Sequence, residues 1–244
     1  MQGPARPFIL DPVAAKVVVI AGAGPNLGLS LARAFGAKGF RVALVARRKA
    51  ALESYVFQLK KAGVDAYAYQ GDVEDEKQLE KAFAYIRQDL GPIDLLEFSP
   101  SFPADTARLP PTRTTEAALA AQCKTQLLGA AGCVRRVLPE MLERRSGTLL
   151  FTTCGLSVRP SPAATPVSVA MTALRTYALC LYSELAPLGV FAAHVSIAVE
   201  LKPGSPEGDP ARVAALYAEL SERRDRPELI VAPAPAAAAA PKPA

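Results

Sequence analysis

Histidine occurs once, at His194, and the four cysteines (Cys123, Cys133, Cys154 and Cys180) contain no Cys-x-x-Cys pair. With so few ligands, no metal cluster can be read from spacing. Reduced, mostly buried thiols are the expectation. No apolar run approaches the ~20 residues that a membrane-spanning helix needs. The first ten residues, MQGPARPFIL, hold an apolar run of only three, too short for a signal-peptide core. A cytoplasmic location with no membrane partner is therefore expected. The net charge is +5, but the basic residues are scattered, and neither a helix-turn-helix nor an aromatic RNA-binding motif is present. That pattern argues against a nucleic-acid partner and for a solvated surface with a few cations reserved for an anionic ligand.

What is present is a regular alternation of strand and helix signals. Apolar residues make up 50% of 244 and charged residues 21%, enough for one domain with a full core. Residues 16–21 (KVVVIA) form a β-branched run, as expected of a strand covered on both faces. Helical spacing over 27–38 follows, then a strand at 40–46, a helix at 50–62, a strand at 65–71, a helix at 75–90 and a strand at 93–98. After a Pro-rich loop at 100–111, one long helix is expected over 115–144, then a strand at 148–153, a helix at 167–185, a strand at 190–199, a helix at 209–224 and a last strand at 228–231. Residues 1–15 read as an extension and the Ala/Pro-rich 232–244 as a disordered tail. Repeated strand–helix–strand units imply an α/β fold of Rossmann type, a doubly wound parallel sheet in a single domain. Ligands of such sheets bind at the carboxyl ends of the strands, where strand order reverses.

The segment AGAGPNLGLS (residues 21–30) lies between the first strand and the first helix. Gly22, Gly24 and Gly28 let backbone approach a pyrophosphate, and the helix start offers free N–H groups to an anion. Asn26 is a tolerable substitute for glycine because asparagine enters left-handed conformations more readily than most residues. Arg47 and Arg48 end the second strand, roughly 20 residues on, where an acidic residue would hydrogen-bond the ribose 2′-hydroxyl of NAD. Two guanidiniums suit a 2′-phosphate instead, so the expected cofactor is NADP (NADPH).

With GAGPNLG (22–28), VARR (45–48), GDV (71–73) and SELAPLG (183–189), the chain resembles the short-chain dehydrogenase/reductase family over about residues 16–231. The resemblance implies an oxidoreductase in which Leu27 shares the cofactor loop and Asp72 and Val73 contact adenine. It also implies a homodimer or homotetramer formed through the two long helices. The family's Asn-Asn-Ala-Gly segment falls on Phe98-Ser99-Pro100-Ser101, which keeps none of those residues in place; Ser99 is carried as a cofactor-side position.

The family's catalytic Asn, Ser, Tyr and Lys fall on Gln126, Cys154, Val167 and Met171. No lysine lies between Lys124 and Lys202, and no Tyr-x-x-x-Lys occurs. Tyr177 and Tyr182 lie more than two turns beyond Val167. Lost acid–base catalysis typically removes about 10²–10⁴-fold in rate. The catalytic residues are therefore unassigned. Three readings stay open: a divergent oxidoreductase acting on a small electron-poor substrate, a non-catalytic NADP(H) sensor or interaction protein, and a non-redox cyclase, isomerase or lyase. Cys154 would need a base or positive field to act as a nucleophile. His194, inside an apolar strand, reads as a hydrogen-bonded core residue. Ser157, Arg159 and Ser161 lie on the loop over the site.

Overall fold

A computed structural model describes residues 15–233. The first described segment, β1 (Val17–Ala21), is buried at all five positions. That burial follows from its β-branched run, which has no polar side to turn to water. The chain continues through α1 (Leu27–Ala37), β2 (Arg41–Ala46), α2 (Lys49–Lys61), β3 (Ala66–Gln70), α3 (Glu76–Leu90) and β4 (Leu95–Phe98). The second half runs α4 (Glu116–Cys123), α5 (Gly129–Glu143), β5 (Gly147–Cys154), α6 (Thr165–Leu185), β6 (Val190–Ile197), α7 (Pro210–Arg223) and β7 (Glu228–Val231). All seven strands pair in parallel in the order β3-β2-β1-β4-β5-β6-β7. The winding direction reverses between β1 and β4, so a crevice opens above those two strands.

Helices cover both faces. Leu79, Phe83 and Ile86 of α3 pack with Val134 and Val137 of α5 and Leu174 and Ala178 of α6 on one side. Leu31 and Phe35 of α1, Leu52 and Leu59 of α2 and Val213 and Tyr217 of α7 fill the other. Each large apolar side chain buried there contributes about 1.5–3 kcal/mol. Arg144 ties the lower end of the sheet together, donating from Nη2 to the Ile93 carbonyl at 2.9 Å.

Three expectations need correction. The helix expected over 115–144 is interrupted: residues Lys124–Leu128 form a π-turn between α4 and α5. Its hydrogen bonds are one residue longer than those of an α-helix, and periodicity cannot reveal a single wide turn. The side chains of Thr125 and Lys124 meet Glu74, which anchors the bulge to the end of β3's loop. The thiols are not mostly buried: Cys133 is, Cys123 and Cys154 are partly covered, and Cys180 is exposed on α6. Burial pushes the Cys133 thiol up to about 12. Finally, β4 begins at Leu95 rather than residue 93, because Asp94 turns its carboxylate back to the Val17 amide at 2.8 Å. The extension and tail lie outside the described residues, except for their inner ends.

Candidate functional site: a cleft at the strand reversal

The loop after β1 is held open by backbone geometry. The Gly22 and Ala23 amides both donate to the Val45 carbonyl of β2, at 2.9 and 3.2 Å. Gly22 has φ +94°, and a Cβ there would stand 2.4 Å from backbone atoms of Pro100. Only glycine fits that crossing. Gly24 faces open space, while Gly28 packs on Ala23 and brings α1 against β1. Asn26 caps α1 without any side-chain hydrogen bond, and the first turn of α1 has no acidic residue. By contrast, Asp75 and Asp209 cap α3 and α7 with two side-chain bonds each. The α1 amides therefore keep their capacity to bind an anion from solution.

Around this loop lie two abutting cavities of ≈ 340 and ≈ 450 Å³. The first is bounded by Gly22, Gly24, Arg47, Arg48, Asp72 and Val73. The second reaches Asn26, Leu27, Gly28 and Ser99. All ten positions expected on the cofactor side thus border one cleft. Arg47 and Arg48 are exposed. Arg48 is the N-cap residue of α2, and both arginines border the first cavity. One Asp72 carboxylate oxygen accepts the Glu74 amide at 3.0 Å, which fixes the turn into α3.

Beneath the second cavity lies a group the sequence reading missed. Glu97, in the middle of β4, is fully buried. Ser99 Oγ donates to its Oε2 at 2.9 Å and Thr152 Oγ1 to its Oε1 at 2.6 Å. Thr152 also meets the buried Tyr217 hydroxyl of α7 at 2.7 Å. Burial raises the Glu97 carboxyl to about 7, against the pull of the two hydroxyls. The signal was legible: Glu97, the second of two carboxylates in IDLLEF, interrupts the continuous apolar run expected of a central parallel strand.

On the opposite face, His194 of β6 is fully buried. Its Nδ1 meets Glu228 Oε1 at 2.9 Å, and its Nε2 meets Thr153 Oγ1 at 2.7 Å. Burial holds the imidazole below its usual pKa, so it is neutral at pH 7. Arg175 in turn pairs with Glu228 through Nε at 2.5 Å and Nη2 at 3.0 Å. Ser157 belongs to the same buried network, bonded to Thr153 at 2.7 Å and Ser196 at 3.3 Å. Of its loop neighbours, Arg159 is exposed and Ser161 caps the turn at Ala163. The lone histidine is a satisfied core residue.

Compared with known proteins, residues 16–199 match the family model described as short chain dehydrogenase. The chain belongs to the short-chain dehydrogenase family. A short chain dehydrogenase of Pseudocercospora fijiensis is 28% identical over 197 residues, 80% of this chain and 60% of that protein. A 3-oxoacyl-[acyl-carrier-protein] reductase of Staphylococcus aureus is 27% identical over 136 residues, 55% of this chain and 54% of the relative. The chain thus spans less than two thirds of the length of these curated relatives. Among solved structures, an actinorhodin polyketide ketoreductase crystallised with NADPH aligns with a TM-score of 0.81 and 22% identity, covering 89% of this chain and 96% of its own. A metagenomic short-chain oxidoreductase in complex with NADP aligns with a TM-score of 0.77 and 20% identity, covering 90% and 97%. Both share the fold.

Of the four positions matched to the family's catalytic groups, two border the second cavity and two do not. Val167 and Met171 lie one turn apart on α6 and are buried in a small apolar cluster with Ala107, against which Cys154 and Leu156 pack. Cys154 and Met171 border the cavity. Gln126 sits in the π-turn, buried, donating from Nε2 to the Pro100 carbonyl at 3.2 Å and leaving Oε1 without a partner. Tyr177 and Tyr182 turn into the core, edge-on to Phe151 and Phe191. Burial raises the Tyr177 hydroxyl. Neither tyrosine borders the cleft.

Proposed function

We propose that this short-chain dehydrogenase binds NADP(H) across the two cavities and transfers hydride to or from a small, electron-poor substrate without the family's Tyr/Lys pair. The observation that carries this reading is the placement of Arg47 and Arg48 at the border of the first cavity, with no salt bridge to either among the described residues. Two guanidiniums ending β2, with no carboxylate beside them, match a ribose 2′-phosphate in charge and geometry. The uncapped start of α1 suits the pyrophosphate, and Asp72 and Val73 lie where adenine would rest. The NADPH and NADP complexes among the fold's relatives support the same cofactor. The bound nicotinamide would supply the hydride.

The second cavity favours a substrate with an apolar body, since Phe102, Met171, Ile197, Val199 and Leu201 border it. Lys and Tyr are absent from that lining, so a simple ketone would find weak proton donation there. An imine, activated ketone or conjugated alkene needs less. Exposed Leu128 at the end of the π-turn and Val169 on α6 support assembly through the long helices. Direct NADPH oxidation across a panel of imines, activated ketones and enones tests the activity. NADPH binding with no turnover on any of them would favour the sensor reading, which the apolar Val167 and Met171 pair would then explain.

A further inference from the structure

Two of the hydroxyl residues that border the second cavity, Ser99 and Thr152, are hydrogen-bonded to one fully buried carboxyl, Glu97. We propose that Glu97 is the proton store of this site and passes its proton through the Ser99 hydroxyl to the substrate, replacing the absent Tyr/Lys pair. This rests on the dinucleotide reading of the cleft.

The two carboxyl oxygens are not equivalent. Thr152 Oγ1 meets Oε1 at 2.6 Å and is itself backed by the Tyr217 hydroxyl at 2.7 Å. With Tyr217 donating to Thr152 and Thr152 donating to Oε1, Oε1 is fixed as an acceptor. The acidic proton then belongs on Oε2, facing Ser99 Oγ at 2.9 Å. An ionised Glu97 draws the Ser99 hydrogen down toward the strand. A protonated Glu97 donates to Ser99 Oγ instead, and the Ser99 hydrogen is released toward the cavity. Ser99 is held in place by its own backbone amide, which donates to the Ala21 carbonyl at 2.9 Å.

Among the described residues, no cation pairs with the carboxylate. On the face of the sheet that Glu97 shares with Ile20 and Leu150, the flanking strands β1 and β5 present apolar neighbours in register. Arg33, the one ionisable residue of α1, is exposed, as are Arg212, Glu219, Glu222 and Arg223 of α7. Tyr217 is the titratable group these helices bring inward, and burial and Glu97 itself keep it protonated. His194 and Glu228 belong to the opposite side of β5 and bond to Thr153 rather than Thr152. Burial without a cation favours the neutral acid, and an anionic ligand bound above would favour it further.

As hydride reaches the substrate carbon, the π electrons of the C=O or C=N bond move to the heteroatom. That atom forms a bond to the Ser99 hydrogen as the Ser99 O–H bond breaks. The Glu97 O–H bond breaks in turn, restoring the serine hydroxyl and leaving a carboxylate that solvent reprotonates between turnovers.

The test combines infrared difference spectra of NADPH binding with the pH profile of NADPH oxidation by an activated diketone, for wild type, Glu97→Gln and Ser99→Ala. Wild type should show a protonated-carboxyl band on binding NADPH at pH 7. The band should be absent in Glu97→Gln and shifted in Ser99→Ala. The wild-type rate should fall about tenfold per pH unit above neutrality; both variants should be at least tenfold slower at pH 6 and nearly pH-independent. NADPH binding without a Glu97-dependent band, no oxidation, or an unchanged profile in Glu97→Gln would each overturn the relay. Failure of wild type to bind NADPH at all would overturn the dinucleotide reading beneath it as well.

Discussion

At the scale of single residues, Gly22 and the Arg47–Arg48 pair make the sharpest predictions. Replacing Gly22 by alanine puts a methyl group where Pro100 backbone already stands and asks an L-residue to hold φ +94°. The expected cost is about 2–3 kcal/mol of stability by denaturant titration, with loss of nucleotide binding. Replacing both arginines by alanine should weaken NADPH about 100-fold and NADH less than about threefold in a fluorescence titration, because only the former carries the 2′-phosphate. That the glycines and arginines border one cleft was readable from sequence, because their loop positions follow from the order of strands and helices. Glu97 was not read, although its oddity was visible, because its meaning depends on Ser99, Thr152 and Tyr217 converging from three elements. Val167 and Met171 show the opposite case: that no lysine stands near them in the chain was plain from the sequence between residues 124 and 202.

At the scale of elements, the helix starts differ in capping, and α5 and α6 begin without a side-chain cap. Neither α1 nor α2 is capped by a side chain, whereas α3, α4 and α7 are. An uncapped start costs stability that a bound anion would return, which is the physical reason to place the pyrophosphate at α1. At α4, Thr115 Oγ1 accepts the Ala118 amide at 3.2 Å. Thr115→Ala should lower stability by about 1 kcal/mol while leaving nucleotide affinity unchanged, as measured by thermal unfolding with and without NADPH. Strand and helix identities were legible because period-2 and period-3.6 patterns repeat over many residues. The π-turn at Lys124–Leu128 was not, since one extra residue per turn leaves the flanking helical spacing intact.

At the scale of the whole molecule, the parallel order with its reversal between β1 and β4 gathers loops from distant parts of the chain into one crevice. Alternating elements were enough to anticipate that. A second global consequence is the pH dependence of stability set by Glu97. Its carboxyl is raised in the folded state from an ordinary 4.5 to about 7. Folding therefore favours its protonated form: the stabilisation is fully present below about pH 4.5 and is lost as pH rises through about 7. Glu97→Gln, neutral throughout, should gain stability relative to wild type between pH 7 and 9, by up to about 3 kcal/mol, and lose that advantage near pH 5. Chemical denaturation across that range checks it. Introducing charge at the exposed apolar positions, as Leu128→Glu with Val169→Glu, should weaken self-association at least tenfold in sedimentation velocity if the long helices form the interface.

The central claim is that the cleft is an NADP(H) site, and parallel titration of the purified protein with NADPH and NADH, followed by nucleotide fluorescence, tests it most directly. NADPH should bind at least ten times more tightly than NADH, and the preference should disappear when Arg47 and Arg48 are both alanine. Equal affinity for the two nucleotides in wild type, or binding of neither, would contradict the account.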